Sequence, residues 1–338
     1  MARYDKRALV RWTRLALVLT LMVIMLGAWT RLRDAGLGCP DWPTCYGHLT
    51  VPSSPEALAK ARELFPHQEV VARKAWPETI HRYFASSIGL VILVLAAWMV
   101  LRRREPGMPW RHGLLLFLLV CVQGAFGAFT VTEKLYPPVV TAHLIIGFST
   151  LTTLFLLYLR LTGAFPRTGD WRIADLRRLV YVAIAVLALQ ILLGGWTASN
   201  YAAAVCTDLP VCQAGWQQAW SPAEAFRLFR PEDRSYEFAP HLGAAAKVTI
   251  HASHRMGAML VTLALFILAV RLYLQAQSRR YRLFALVLVL ALLVQVGLGI
   301  INVRLQLPLV NAVAHNVWAA VLLQILVALA YAMRRERS

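Results

Sequence analysis

Eight apolar runs leave this chain few ways to fold. They lie at roughly 15–33, 79–101, 113–131, 139–160, 179–199, 246–274, 283–303 and 310–333. Each is near the length of about 20 residues that carries a helix across the hydrocarbon of a bilayer. With 59% of 338 residues hydrophobic and only 15% charged, no soluble core would hide so much apolar surface. The expected fold class is therefore all-α, a polytopic membrane protein of eight transmembrane helices. The first run follows Arg3, Lys6, Arg7, Arg11 and Arg14, as a signal peptide would, but it is long and enters a polar loop without a small-residue cleavage site. It reads as a retained helix.

The net charge of +18 would suit a nucleic-acid partner if it were gathered on one surface. Instead it alternates with the runs. Arg102, Arg103, Arg104 and Arg111 form one group, Arg160, Arg167, Arg172, Arg177 and Arg178 a second, and Arg271, Arg279, Arg280 and Arg282 a third. With the N-terminal five and Arg334, Arg335 and Arg337, one side of the membrane carries 21 of the 35 basic residues. This positive-inside pattern puts both termini in the cytoplasm, with anionic lipid rather than nucleic acid facing the charge.

The chain also repeats itself. Trp29-Thr30 precedes Cys39-Pro-Asp41-Trp-Pro43-Thr-Cys45, and Trp196-Thr197 precedes Cys206-Thr-Asp208-Leu-Pro210-Val-Cys212, with ten residues from tryptophan to first cysteine in both. Gln123 leads to His143 and Gln295 to His315, twenty residues each time, and between these motifs His81-Arg82 answers His254-Arg255. Motifs in one order and nearly one spacing imply two tandem, pseudo-symmetric four-helix bundles, 1–165 and 166–338. Four spans is an even number, so both halves share one orientation. The long outer loops fall at about 34–77 and 200–245. Within them Glu56–Phe65 suits a short amphipathic surface helix, and Pro222-Ala-Glu224 a helix start. Trp42, Trp76 and Trp220 suit the interfacial belt.

Four histidines carry the chemistry. His81 and His143 stand at the outer ends of the second and fourth runs, and His254 and His315 repeat them on the sixth and eighth. All four runs pass inward from outside, so each half sets two imidazoles at similar depth on parallel helices. Facing histidines in a four-helix bundle meet the requirement for axial ligation of a haem. Zinc or copper would want three or four converging ligands, and each half offers two clear histidines. Arg82 and Arg255 are candidates for the haem propionates, a forked donor against a carboxylate, or else interfacial arginines that snorkel. Gly89, Gly147 and Gly257 would allow a flat macrocycle or a helix to come close.

The halves differ at one telling place. Three residues before the histidine stands Glu78 in the first half and His251 in the second. A carboxylate beside one haem can relay protons or assist oxygen chemistry, so the N-terminal half is expected to hold the reacting haem and the C-terminal half the electron-transfer haem. His251 is an alternative ligand to His254. Cys39 with Cys45 and Cys206 with Cys212 lie outside the membrane as two short-range disulfides or dithiols. Cys121 is mid-span and reads as a small buried hydrophobe.

These residues resemble those of the heme A synthase family. The matching motifs are Thr30-Arg31-Leu32, Gly36-Leu37-Gly38-Cys39-Pro40-Asp41-Trp42-Pro43, Glu78-x-x-His81-Arg82, His143, His254-Arg255 and Ala314-His315. The resemblance covers all eight runs. It implies oxidation of the ring methyl of heme O, through an alcohol, to the formyl group of heme A. It further implies that His81 and His143 face the substrate iron, that Glu78 is the catalytic carboxylate, and that His254 and His315 ligate a heme b cofactor. Heme O synthase and cytochrome oxidase assembly are the implied neighbours in the cell; the electron donor and any oligomer stay open. The cofactor would carry the hard step while the protein holds the macrocycle, tunes the iron and excludes water. A di-haem electron carrier of the quinol oxidoreductase kind, without methyl chemistry, is the strongest alternative. A haem or small-molecule transporter is a third, although parallel halves lack the inverted symmetry common in such carriers.

Overall fold

The computed structural model describes residues 6–229 and 235–336, so Arg3 and Arg337 of the basic flanks lie outside the described residues. Within the bilayer there is no water to satisfy backbone groups, so each spanning segment closes its own hydrogen bonds as a helix. The order is α1 (Lys6–Leu32), α2 (Pro55–Leu64), α3 (Ala72–Leu101), α4 (Trp110–Thr132), α5 (Pro137–Thr162), α6 (Leu176–Ser199), α7 (Pro222–Ala225), α8 (Ala244–Gln275), α9 (Arg279–Arg304) and α10 (Leu309–Arg335). Eight of these are long and apolar enough to cross a membrane, and the described residues form no strand. The protein is a multi-pass membrane protein.

The helices run past the apolar stretches that announce them. Helix α3 begins at Ala72, so Pro77 lies inside it rather than at its start. Helix α2 matches the amphipathic segment expected in the first outer loop: the Ser54 hydroxyl accepts from the Ala57 amide at 3.2 Å, and Pro55 opens the helix. Cys121 departs from expectation, because it is exposed. Helix α4 buries only Gly113, Leu116 and Val131, and its remaining apolar face is suited to lipid, where a thiol rests as easily as in a core.

Two compact units emerge. One holds the residues up to Thr153 together with Leu228–His241, and the other holds Leu154–Arg227 and Leu242 onward. These limits differ from a division at residue 165. In the first unit α1 packs on α3 and α3 on α4. The segment around Tyr236 belongs to it, donating from its amide to the Lys134 carbonyl at 2.9 Å while Glu237 pairs with Lys74 at 3.1 Å. In the second unit α6, α8, α9 and α10 close a ring, each packed on the next and α10 back on α6.

The tight turns after α4 and α9 are built alike. After α4, Lys134 and Leu135 adopt positive φ and the Leu135 amide returns to the Thr130 carbonyl at 2.9 Å. After α9, Gln306 and Leu307 do the same, and the Leu307 amide returns to Asn302 at 2.8 Å. This six-to-one closure satisfies carbonyls that a helix end leaves open. It reverses the chain in few residues and so keeps the His-bearing helices α5 and α10 next to their predecessors.

Candidate functional site

In the N-terminal unit the site begins with a loop fastened to a helix. A disulfide joins Cys39 to Cys45. Inside the closed loop Asp41 accepts from the amides of Tyr46 at 2.6 Å and Gly47 at 2.9 Å and from the Thr44 hydroxyl. Gly38 rests so near α3 that a Cβ would stand 2.3 Å from the Lys74 carbonyl oxygen, so no other residue fits there. Arg82 extends from α3 under this loop and donates to the carbonyls of Asp41 at 2.8 Å and Thr44 at 2.5 Å. One turn earlier on the same helix, Glu78 is 5% exposed, takes an ion pair from Arg82 at 2.5 Å and accepts from the Cys39 amide at 3.0 Å.

In the C-terminal unit the second disulfide joins Cys206 to Cys212. Arg255 is buried and donates to the carbonyls of Cys206 and Asp208 at 2.5 Å each and of Val211 at 3.0 Å. His251 occupies the place of Glu78: its Nδ1 faces the Cys206 amide at 3.3 Å and its Nε2 accepts from Arg255 Nε at 3.1 Å. Both ring nitrogens thus address the loop and its arginine. The two arginines are interior fasteners of the cysteine loops, a role the sequence does not announce.

The four histidines expected to act in pairs are half-buried in their helices. His81 and His143 are near enough for their charges to act on one another, and so are His254 and His315. Each ring lies on a glycine of a neighbouring helix. A Cβ on Gly27 of α1 would stand 3.0 Å from His81 Cε1, and one on Gly127 of α4 would stand 3.3 Å from His143 Cε1. In the other unit Gly194 of α6 faces His254 at 3.2 Å and Gly299 of α9 faces His315 at 3.3 Å. Of the glycines singled out in the sequence, Gly147 and Gly257 instead abut glutamines, and Gly89 only reaches Val120 at 3.9 Å.

Three glutamines complete the surroundings. Gln123 Nε2 lies 3.2 Å from His143 Nε2, Gln190 Nε2 lies 3.0 Å from His254 Nδ1, and Gln295 Nε2 lies 3.4 Å from His315 Nε2. The Nδ1 atoms of His81, His143 and His315 and the Oε1 atoms of all three glutamines are buried without a hydrogen-bond partner. Buried polar atoms are almost always satisfied, so orphans gathered around paired imidazoles point to a partner that binds there. Among the described residues no three metal-ligating side chains gather in one place, as a zinc-type centre would want. A pair of imidazoles in each unit suits an iron whose other four ligands come with a porphyrin. The donor set and the glycine gaps fit a haem in each unit.

Glu78 stands apart in another respect: it is the one acidic residue within the eight spanning helices. An intramembrane carboxylate marks a working site by default.

Fold and site together define a polytopic helical membrane protein with a pair of half-buried histidines in each unit. Comparison with known proteins makes this specific. The family model for the cytochrome oxidase assembly proteins, COX15-CtaA, matches residues 10–327. A protein of Shewanella oneidensis called heme A synthase is 46% identical over 325 residues, which is 96% of both chains. Heme A synthases of Sphingopyxis alaskensis and Erythrobacter litoralis are 31% and 28% identical, over 60% and 62% of this chain and 62% and 67% of their own. The chain belongs to the COX15-CtaA family of cytochrome oxidase assembly proteins.

Proposed function

We propose that this protein is a heme A synthase, an oxidoreductase that takes heme O and oxidises one ring methyl to the formyl group of heme A through a hydroxymethyl intermediate. From methyl to formyl the carbon loses four electrons, two at each stage. Oxygen serves as oxidant, and an external donor supplies electrons. The observation that carries the reading is Glu78, a lone intramembrane carboxylate one helical turn from His81, replaced by His251 at the corresponding place of the other unit. The near full-length likeness to the Shewanella protein supports it.

The halves are tandem copies with divided labour. His81 and His143 face the iron of the substrate. His254 and His315 hold heme b, which when bound supplies an electron-transfer centre. Glu78 takes up protons released at the substrate. Its position is set by the Arg82 ion pair and the Cys39 amide. Arg82 and Arg255 clamp the disulfide loops over the outer ends of the sites, keep bulk water out and form the wall against which propionates rest. The protein sits in a bacterial inner membrane with both termini in the cytoplasm, a reading that the basic loops support, and a farnesylated substrate enters from lipid. A heme O-forming step supplies it and an oxidase takes the product.

Expression in a host that makes heme O, followed by chromatography of the extracted haems, tests this. Heme A or its hydroxymethyl precursor is expected. Unchanged heme O in an oxygenated, reduced preparation contradicts it.

A further inference from the structure

Each histidine-bearing site has a glycine on the facing helix, and in three cases a glutamine stands four residues before it: Gln123 with Gly127, Gln190 with Gly194, Gln295 with Gly299. That spacing sets amide and gap on one helix face. At His81 the glycine is present as Gly27, but the residue four before it is Val23, which brings no side-chain amide; its backbone faces the ring as the backbones of Gln123 and Gln295 face His143 and His315. Gln190 and Gln295 are tied further, donating to the backbone carbonyls of His254 at 2.9 Å and His315 at 3.2 Å.

The chemistry of a ligated imidazole explains the arrangement. Once one ring nitrogen binds iron, the other carries a proton, and the acceptor of that proton fixes the ring and tunes its basicity. A primary amide has a donor end and an acceptor end of equal size. By turning over it can donate to a ring lone pair in the free site and accept from the ring N–H in the ligated one. The three Oε1 atoms, buried without a partner, are free to accept in this second state, beside the backbone carbonyls of Gln123 and Gln295 that already face two of the rings. Val23 offers only a helix carbonyl, fixed in place.

We infer that Gln123, Gln190 and Gln295 are positioning residues that lock His143, His254 and His315 as haem ligands, and that His81, lacking such an amide, is the exchangeable ligand, so that the substrate iron opens on the face beside Glu78. This rests on the assignment of the histidine pairs to haems in the proposed function.

The test uses full-length protein purified with its haems in detergent and reads spectra and potentials. Gln295→Leu removes the acceptor: it should raise the midpoint potential of the C-terminal haem and weaken haem retention by about 10–100-fold, the usual effect of losing such a partner. Gln295→Glu, of the same size but a stronger acceptor, should lower that potential. Shifts of opposite sign separate tuning from mere packing, and equal potentials in all three proteins overturn the glutamine role. Carbon monoxide added to the reduced wild type should bind one haem per chain. Val23→Gln should suppress that binding. Uptake by both haems or neither, or uptake unchanged in Val23→Gln, overturns the exchangeable His81. Extracting haems from the same preparations keeps the two readings apart. Opposed potential shifts without heme A would sink the synthase alone, and heme A with flat potentials would sink this inference alone.

Discussion

Glu78 and His251 make the same backbone contact, one to the Cys39 amide and the other to the Cys206 amide, with an arginine four residues on. A carboxylate can accept from amide and guanidinium at once, whereas a neutral imidazole has one acceptor nitrogen and must compromise. Holding the loop therefore does not explain why one unit keeps a charge in the membrane. The arginines themselves are structural in a measurable way. Arg255→Ala leaves three buried or half-buried carbonyls without a donor and should cost about 3 kcal/mol, read as a lower thermal midpoint. Arg255→Lys should recover little, because a compact ammonium lacks the planar fork by which Arg255 reaches three carbonyls and His251 at once. The glycines under the rings make a sharper case. Gly194→Leu drives a side chain into His254 and should abolish the b-type spectrum. Gly124→Ala, where an added Cβ meets nothing within 4 Å, should leave it intact. The histidines, Glu78 and the cysteine loops were all legible in the sequence because their chemistry stands out against apolar runs. The supporting Gly27, Gly127, Gly194 and Gly299 were not, since glycine is common in membrane helices and only the helix pairing reveals which ones face a ring. The glutamine-to-histidine spacing was visible as a repeat, but not as an amide meeting an imidazole.

At the scale of helices, the ends are where reading and structure part. Apolar runs locate the membrane-buried stretch of a helix, and hydrogen bonding continues past it into polar residues. Helix α3 accordingly begins at Ala72 and carries Arg73 and Lys74 ahead of the membrane-buried stretch. The C-terminus of α10 shows such an end made functional for stability. Glu336 accepts from the Thr168 and Gly169 amides at 2.9 Å each, the Thr168 hydroxyl at 2.8 Å and the Tyr281 hydroxyl at 3.0 Å. Partial burial pushes its carboxyl up, but these donors outweigh it and hold the group below its ordinary value of 4.5. A carboxylate held low in the folded state contributes stability above its unfolded pKa and loses it as the pH falls through the folded value. The protein should therefore lose part of its thermal stability below pH 4.5. Glu336→Gln should be less stable at neutral pH and less sensitive to acid, and identical melting profiles for the two proteins would remove the latch.

For the whole molecule, the number of spans was readable because lipid permits so few solutions. The limits of the compact units were not. Leu228–His241 lies between α6 and α8 in the chain yet groups with the N-terminal unit, a placement made by contacts such as Lys74 with Glu237 that no local pattern encodes. The membrane orientation is open to a direct check. An impermeant thiol reagent added to intact cells should label Cys39, Cys45, Cys206 and Cys212 only after reduction, and labelling without a reductant would contradict the two disulfides. The central claim is that methyl oxidation depends on the carboxylate of the N-terminal unit while both haem sites persist without it. Chromatography of the haems extracted from Glu78→Gln protein, produced with heme O supplied, tests this most directly. Heme O and heme b should both be recovered and heme A absent; heme A at the wild-type level would contradict the account.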